Sequence, residues 1–228
     1  MNVRNLFYSL LVMVAGVAAC VPPPENFPSE PEISFNAIEY VETPEADSLI
    51  VTINFRDGEG NLGLNPRELD PPFNELEYLR DEAGNLITYS ARPSNAPSFN
   101  NRDWVIFPLI NNERVMDTLW VRENPDHYNI FVKFFIKRSG EYTEFKWSDP
   151  PYFTNFNGRF PRILSDDRQR AIEGQIRYGM VSLGWNSIFR NDTLRLDIEI
   201  QDRSLNRSNT ASTPDFTLPQ IRRLSGLE

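Results

Sequence analysis

The chain has 228 residues, with 23 Lys and Arg against 32 Asp and Glu, for a formal net charge of −9, and it carries one His and one Cys. An acidic surface of this kind repels phosphate backbones, which argues against nucleic acid as a partner. A lone cysteine and a lone histidine leave no intrachain disulfide, no thiolate or multi-histidine metal cluster, and few ways to build a nucleophile–base pair.

The first segment has Arg4 ahead of an almost unbroken apolar run over residues 6–17, followed by Ala18-Ala19-Cys20. This is the layout of a signal peptide over residues 1–19. The run is shorter than the roughly 20 residues a membrane-crossing helix needs, so no transmembrane helix is expected. Val17-Ala18-Ala19-Cys20 resembles the bacterial lipobox. That resemblance implies cleavage before Cys20, a diacylglyceryl group on its thiol, and attachment to a membrane through the lipid. Cleavage removes Arg4 and no acid, so the mature chain is more acidic still. Residues 20–32 then form a Pro- and Glu-rich tether, extended at about 3.1 Å per residue.

From Ile33 onward apolar and polar residues alternate with period two, the mark of half-buried strands. The first two strands are expected at 33–41 and 48–55, turning near Pro44, with Leu49, Val51, Ile53 and Phe55 on one face. Residues 128–138 place Ile130, Val132, Phe134 and Ile136 on one face, and Ser139-Gly140 turns them into a strand over 141–147. A further strand is expected at 174–183. Residues 193–201 alternate Leu194, Leu196, Ile198 and Ile200 with polar neighbours. After a turn over 202–206, residues 208–218 supply the last strand, which Pro214 marks as an edge. The only helix expected is short, over 166–172, with Ser165 as its cap.

Seven strands of this kind predict a mainly β, immunoglobulin- or fibronectin-III-like β-sandwich over residues 33–218, followed by a C-terminal tail at 219–228. The stretch between the second and third strands is too long for a structureless loop. A β-rich subdomain is therefore expected as an insertion at about 62–125. It would hold a hairpin around Asp81-Glu-Ala-Gly-Asn85 and a strand pair, 104–109 with 114–121, around Asn111-Asn112.

Three segments, Phe55-Arg-Asp57-Gly-Glu-Gly-Asn-Leu-Gly63, Ile176-Arg-Tyr178 and Asp202-Arg-Ser-Leu-Asn206-Arg-Ser-Asn209, resemble features of a group of Bacteroidetes lipoproteins. The resemblance spans the sandwich strands but not the insert. It implies an outer-membrane lipoprotein with an Ig-like domain, and it carries no catalytic residue. Val21 and three prolines separate Cys20 from the first acid, Glu25, whereas surface-exported members of the group often have acids directly after the cysteine.

Asp57, Glu59 and Asn61 alternate like the first oxygen ligands of a Ca²⁺ loop. In a sandwich of the expected kind Asp202 and Asn206 would approach them from the facing loop. An EF-hand would have glycine where Leu62 stands, and the same letters also serve as ordinary turn residues. Trp104, with the other aromatics of the insert, is a candidate sugar-stacking platform or a small core. Phe153, Phe156 and Phe160 lie among Asn155, Asn157 and Gly158 and are candidate contact residues. His127, after Pro125-Asp126, reads as a turn histidine. Asp149, Glu141, Glu144 and the pair Asp166-Asp167 are the acids a paired-carboxylate hydrolase would draw on. The function expected is a membrane-anchored, non-catalytic interaction module serving another outer-membrane protein. The alternatives are a glycan- or peptide-binding lipoprotein and, behind it, such a hydrolase.

Overall fold

The computed structural model describes residues 27–43, 45–166 and 168–224. The expected signal segment, Cys20, the first part of the expected tether, and the turn residue Pro44 lie outside the described residues.

The chain is mainly β. It opens with β1 (Glu32–Glu42) and β2 (Asp47–Asp57), which pair antiparallel from Glu32 opposite Arg56 to Val41 opposite Ser48. The long connection that follows carries β3 (Leu76–Tyr78), β4 (Trp104–Ile106), β5 (Leu109–Ile110), β6 (Glu113–Arg114) and β7 (Thr118–Glu123). Then come β8 (Ile130–Arg138), β9 (Glu141–Phe145), β10 (Ile172–Ser182), the helix α1 (Trp185–Phe189), β11 (Thr193–Ile200), β12 (Ala211–Ser212) and β13 (Arg222–Leu224).

Two four-stranded sheets result, ordered β10-β2-β1-β13 and β12-β11-β8-β9, and the insert forms a three-stranded sheet, β3-β7-β4. The alternation read from the sequence decides what lies between the large sheets. Leu49, Val51, Ile53 and Phe55 of β2 meet Ile130, Val132, Phe134 and Ile136 of β8 and Leu194, Leu196, Ile198 and Ile200 of β11 in one core. Ser139 and Gly140 both take positive φ, the geometry a two-residue hairpin between right-twisted strands requires.

Aromatic side chains close this core. Phe134 stacks on Trp185 at 5.6 Å between centroids and meets Trp147 edge-on at 5.5 Å. Phe156 and Phe189 surround the same ring. Helix α1 exists because Trp185 and Phe189, four residues apart, fall on one face and are both fully buried in this cluster. The Trp185 indole N–H donates to the Met180 carbonyl.

Several expectations are corrected. The described residues of 166–172 form no helix: the chain over 168–171 is irregular and runs into β10 at Ile172, with the Arg170 N–H donating to the Glu59 carbonyl. The short apolar-faced helix is α1, which lacks a side-chain cap and so showed no start signal. The last strand is not continuous over 208–218. Only Ala211 and Ser212 form a ladder with β11, while Arg207 and Phe216 make single bridges to Gln201 and Leu194. Of the tail expected at 219–228, residues 219–224 enter the fold instead, since Arg222 and Arg223 of β13 pair parallel to Tyr40 and Val41 of β1. Leu62, placed at the start of the insert, is fully buried in the main core.

The insert has its own small core of Trp104, Leu119 and Val121. Polar groups fasten its base. The Asn124 amide donates to the carbonyls of Pro72 and Asn74, both at 2.7 Å, and its Oδ1 accepts the Asp126 N–H. Arg159 donates to the carbonyls of Asn65 and Glu68, and Arg162 is ion-paired with Glu68.

Truncating Phe134 to alanine should cost about 3–5 kcal/mol in urea unfolding, as for other buried aromatics. Phe153→Ala, at an exposed position, should stay within about 0.5 kcal/mol of wild type. Equal losses at the two sites would contradict a core centred on Phe134.

Candidate functional site

Strand β2 ends where the Asp57 side chain turns the backbone. Its Oδ2 accepts the Gly60 N–H at 2.6 Å and the Asn61 N–H at 3.2 Å, an Asx-type turn. The glycines permit close passage of other segments. Gly58 donates its N–H to the Pro28 carbonyl at 2.9 Å, and a Cβ there would stand 2.4 Å from the Phe27 carbonyl oxygen. Gly63 holds φ at +91°, and a Cβ there would stand 2.1 Å from the Pro161 oxygen. The segment that precedes β1 therefore crosses the root of the insert, and Asn209 holds Ile33 beside it through both backbone groups.

A second turn faces the first. Asp202 bridges to Leu62, and its Oδ1 and Oδ2 accept the backbone and side-chain N–H groups of Asn206 at 2.7 and 2.9 Å. Asn61 joins the two turns. Its Nδ2 lies 2.9 Å from Glu59 Oε2, 3.2 Å from Asp202 Oδ2 and 3.0 Å from Ser204 Oγ. Its carbonyl accepts the Arg203 N–H.

Asp57 is 0% exposed, Asp202 2% and Asn61 9%. Among the described residues, every hydrogen-bond donor to Asp57, Glu59 and Asp202 is neutral. Asp57 Oδ1 and Asn61 Oδ1 are buried with no partner. Burial pushes the Asp57 carboxyl up to about 6 against the Gly60 and Asn61 N–H groups, which favour its charge, and the nearby Asp202 and Glu59 carboxylates push the same way as burial.

Asp57, Glu59, Asn61 and Asp202, with Asn206, are thus brought together, as facing loops of the assumed sandwich would bring them. Among the described residues, however, no three Asp, Glu, His or Cys side chains stand close enough to hold a metal by themselves. The Asn61 amide occupies the space between the carboxylates.

The aromatic candidates fare differently. Trp104 is 1% exposed, stacked on Trp120 at 5.9 Å and met edge-on by Tyr89 at 5.3 Å, so it is the core of the insert and not a platform. Phe160 is buried, and half-buried Phe156 belongs to the Phe134 cluster. Packing demand explains both: each fills a gap between the sheets that strand residues alone leave open. Only Phe153 is open to solvent, 46% exposed, and the Arg102 guanidinium covers its ring at 4.0 Å. His127 Nδ1 meets the Phe73 carbonyl at 3.0 Å, a structural contact at the base of the insert. Glu141 and Glu144 are exposed on β9, Asp166 pairs with Arg170, and Asp167 lies outside the described residues.

One feature was not foreseen in the sequence. The distal end of the hairpin from β4 to β7 exposes Ile106 (57%), Phe107 (44%), Leu109 (61%) and Met116 (75%). The signal for it was Asn111-Asn112. These two residues adopt positive φ between β5 and β6, which makes their apolar neighbours the flanks of a hairpin tip and not the middle of a sheet.

Because the folded Asp57 carboxyl keeps its proton to a higher pH than its ordinary value of 3.8 allows, its ionisation works against the fold. This group's contribution is most favourable at low pH and is lost as pH rises toward about 6. In chelator, wild type should therefore lose on the order of 1–3 kcal/mol relative to Asp57→Asn between pH 4 and pH 7. Denaturant unfolding at a series of pH values checks this, and parallel profiles for the two proteins would refute it.

Comparison of the chain with protein-family models, with curated proteins and with solved structures found no match.

Proposed function

We propose that the protein is a lipid-anchored envelope lipoprotein whose immunoglobulin- or fibronectin-III-like sandwich holds the insert against a partner protein of the outer membrane, without catalysis of its own. The strand order supports the fold. β1, β2 and β10 run in the sequence A-B-E, and β9, β8, β11 and β12 in the sequence C′-C-F-G, with the insert in the B–C connection. Membrane attachment rests on Cys20 at the end of the signal segment. Among the described residues no helix is long and apolar enough to cross a membrane.

The observation that carries the reading is the exposed apolar end of the insert. Four large side chains of one hairpin, Ile106, Phe107, Leu109 and Met116, face water together. A cluster of this kind marks a surface to be covered, whereas apolar residues exposed singly need no explanation. The tether also crosses the root of the same insert through Pro28 and Gly58. Lipid and insert then belong to one end of the molecule.

The alternative, capture of a glycan or peptide, draws on a cleft of about 1100 Å³ between the insert and the outer face of the β8 sheet. Its floor is less suited to sugar. The ring of Phe131 lies under Arg207 at 3.4 Å and that of Phe153 under Arg102, so both stacking faces are already occupied.

Two measurements test the proposal. A photo-crosslinking residue in place of Leu109, in the full chain in intact envelopes, should trap one outer-membrane protein. The same residue in place of Leu183, which is 81% exposed beyond β10, should not. Labelling at neither position, or equal labelling at both, would count against the docking surface. Separately, Cys20→Ala should abolish metabolic incorporation of a fatty-acid analogue and release the protein from the membrane fraction. Retained label would rule out the anchor.

A further inference from the structure

The Asp57 and Asp202 turns contain something their role as turns leaves unexplained. Asp57 has no exposed surface, yet its Oδ1 has no partner, and neither does Oδ1 of the nine-tenths-buried Asn61. A buried polar atom without a partner costs about 1–3 kcal/mol, and more if it carries charge. Two such oxygens in one cluster point to a ligand that accepts oxygen donors.

The surroundings have the chemistry of a cation site. Asp57 contacts the Asn61 backbone, Glu59 and Asp202 contact its side chain, and among the described residues only neutral donors satisfy these three carboxylates. Buried carboxylates are ordinarily paired with cations or bound to metal. The point now held by Asn61 Nδ2 has oxygens of Glu59, Asp202 and Ser204 within 2.9–3.2 Å, so the centre is already lined with oxygen. The oxygen and nitrogen of an asparagine amide exchange places by a half-turn about the last side-chain bond. A half-turn of the Asn61 amide would bring its unpartnered Oδ1 among the carboxylates. That is repulsive unless a positive ion lies between them.

We propose that the Asp57–Asn61 and Asp202–Asn206 turns together bind a hard divalent cation of the Ca²⁺ type, with oxygens of Asp57, Glu59, Asn61 and Asp202 as ligands. Ca²⁺ takes six to eight oxygens in flexible geometry, and amide carbonyls serve it as well as carboxylates. This is why a site whose acids do not hold a metal by themselves still suits it once the Asn61 amide oxygen joins them. The consequence is mechanical. The ion would tie the root of the insert to the turn before β12, beneath the segment that leads to Cys20, and would stiffen the insert relative to the anchor.

The test uses the full chain, purified in detergent and stripped with EDTA. CaCl₂ in the millimolar range typical of extracellular Ca²⁺ modules should raise the melting midpoint by several degrees. NaCl at equal ionic strength should not, which separates binding from screening of an acidic protein. Asp57→Asn should lose the shift. Glu59→Gln, at a partly exposed position, should move the Ca²⁺ titration to about tenfold higher concentration. Absence of a Ca²⁺-specific shift in wild type overturns the proposal, and so does an unchanged titration in Glu59→Gln.

Discussion

A buried carboxylate that must be satisfied at the end of a strand organises this molecule. Asp57 closes β2 by accepting the N–H groups of Gly60 and Asn61, and three connections depend on the turn it makes. The chain before β1 rests on Gly58, the insert leaves through Leu62 and Gly63, and the turn before β12 docks on Asn61. Each approach is close enough that a side chain in place of Gly58 or Gly63 would collide with backbone. The acidic centre thus trades electrostatic comfort for a compact junction, a pattern more typical of functional sites than of simple turns.

Away from the junction the forces are plainer. The two sheets are held by alternating aliphatic residues, and the region around α1 and the 145–160 connection is filled by a nest of aromatic rings around Phe134. The insert cannot share this core, because it leaves and re-enters at one end. It builds a smaller one on Trp104, Leu119 and Val121 and relies on hydrogen bonds from Asn124 and Arg159 to hold its base. So small a core leaves apolar side chains over, and they gather at the far hairpin.

How much of this could be read in advance follows from the range of the interactions. The strands β1, β8, β10 and β11 were legible because each buries mainly one face, so alternation is visible within eight to eleven residues, and β2 shows the same alternation in sequence although Ile50 and Thr52 are buried as well. The convergence of Asp57, Glu59, Asn61 and Asp202 was legible only after a strand order had been assumed. Phe156 and Phe160 were misread as contact residues because an aromatic in an irregular segment has the same local context whether it faces water or a gap between sheets, and Trp104 on its strand left platform and core both open. The broken strand at β12 and the docking of β13 beside β1 depend on which sheet edge is open, and no local pattern encodes that.

The sequence by itself determined the things that short stretches specify: the mainly β character, the acidic composition, and the turn chemistry of Asp57-Gly-Glu-Gly-Asn61 and Ser139-Gly140. Tertiary structure alone decided which aromatics are core and which apolar residues are left exposed on the insert. It also decided that the Asp57 junction holds buried oxygens without partners. The reason is that burial and hydrogen-bond satisfaction are properties of what arrives from elsewhere in the chain. Asn61 meets Asp202 and Ser204 across more than 140 residues, and nothing in either segment records that meeting.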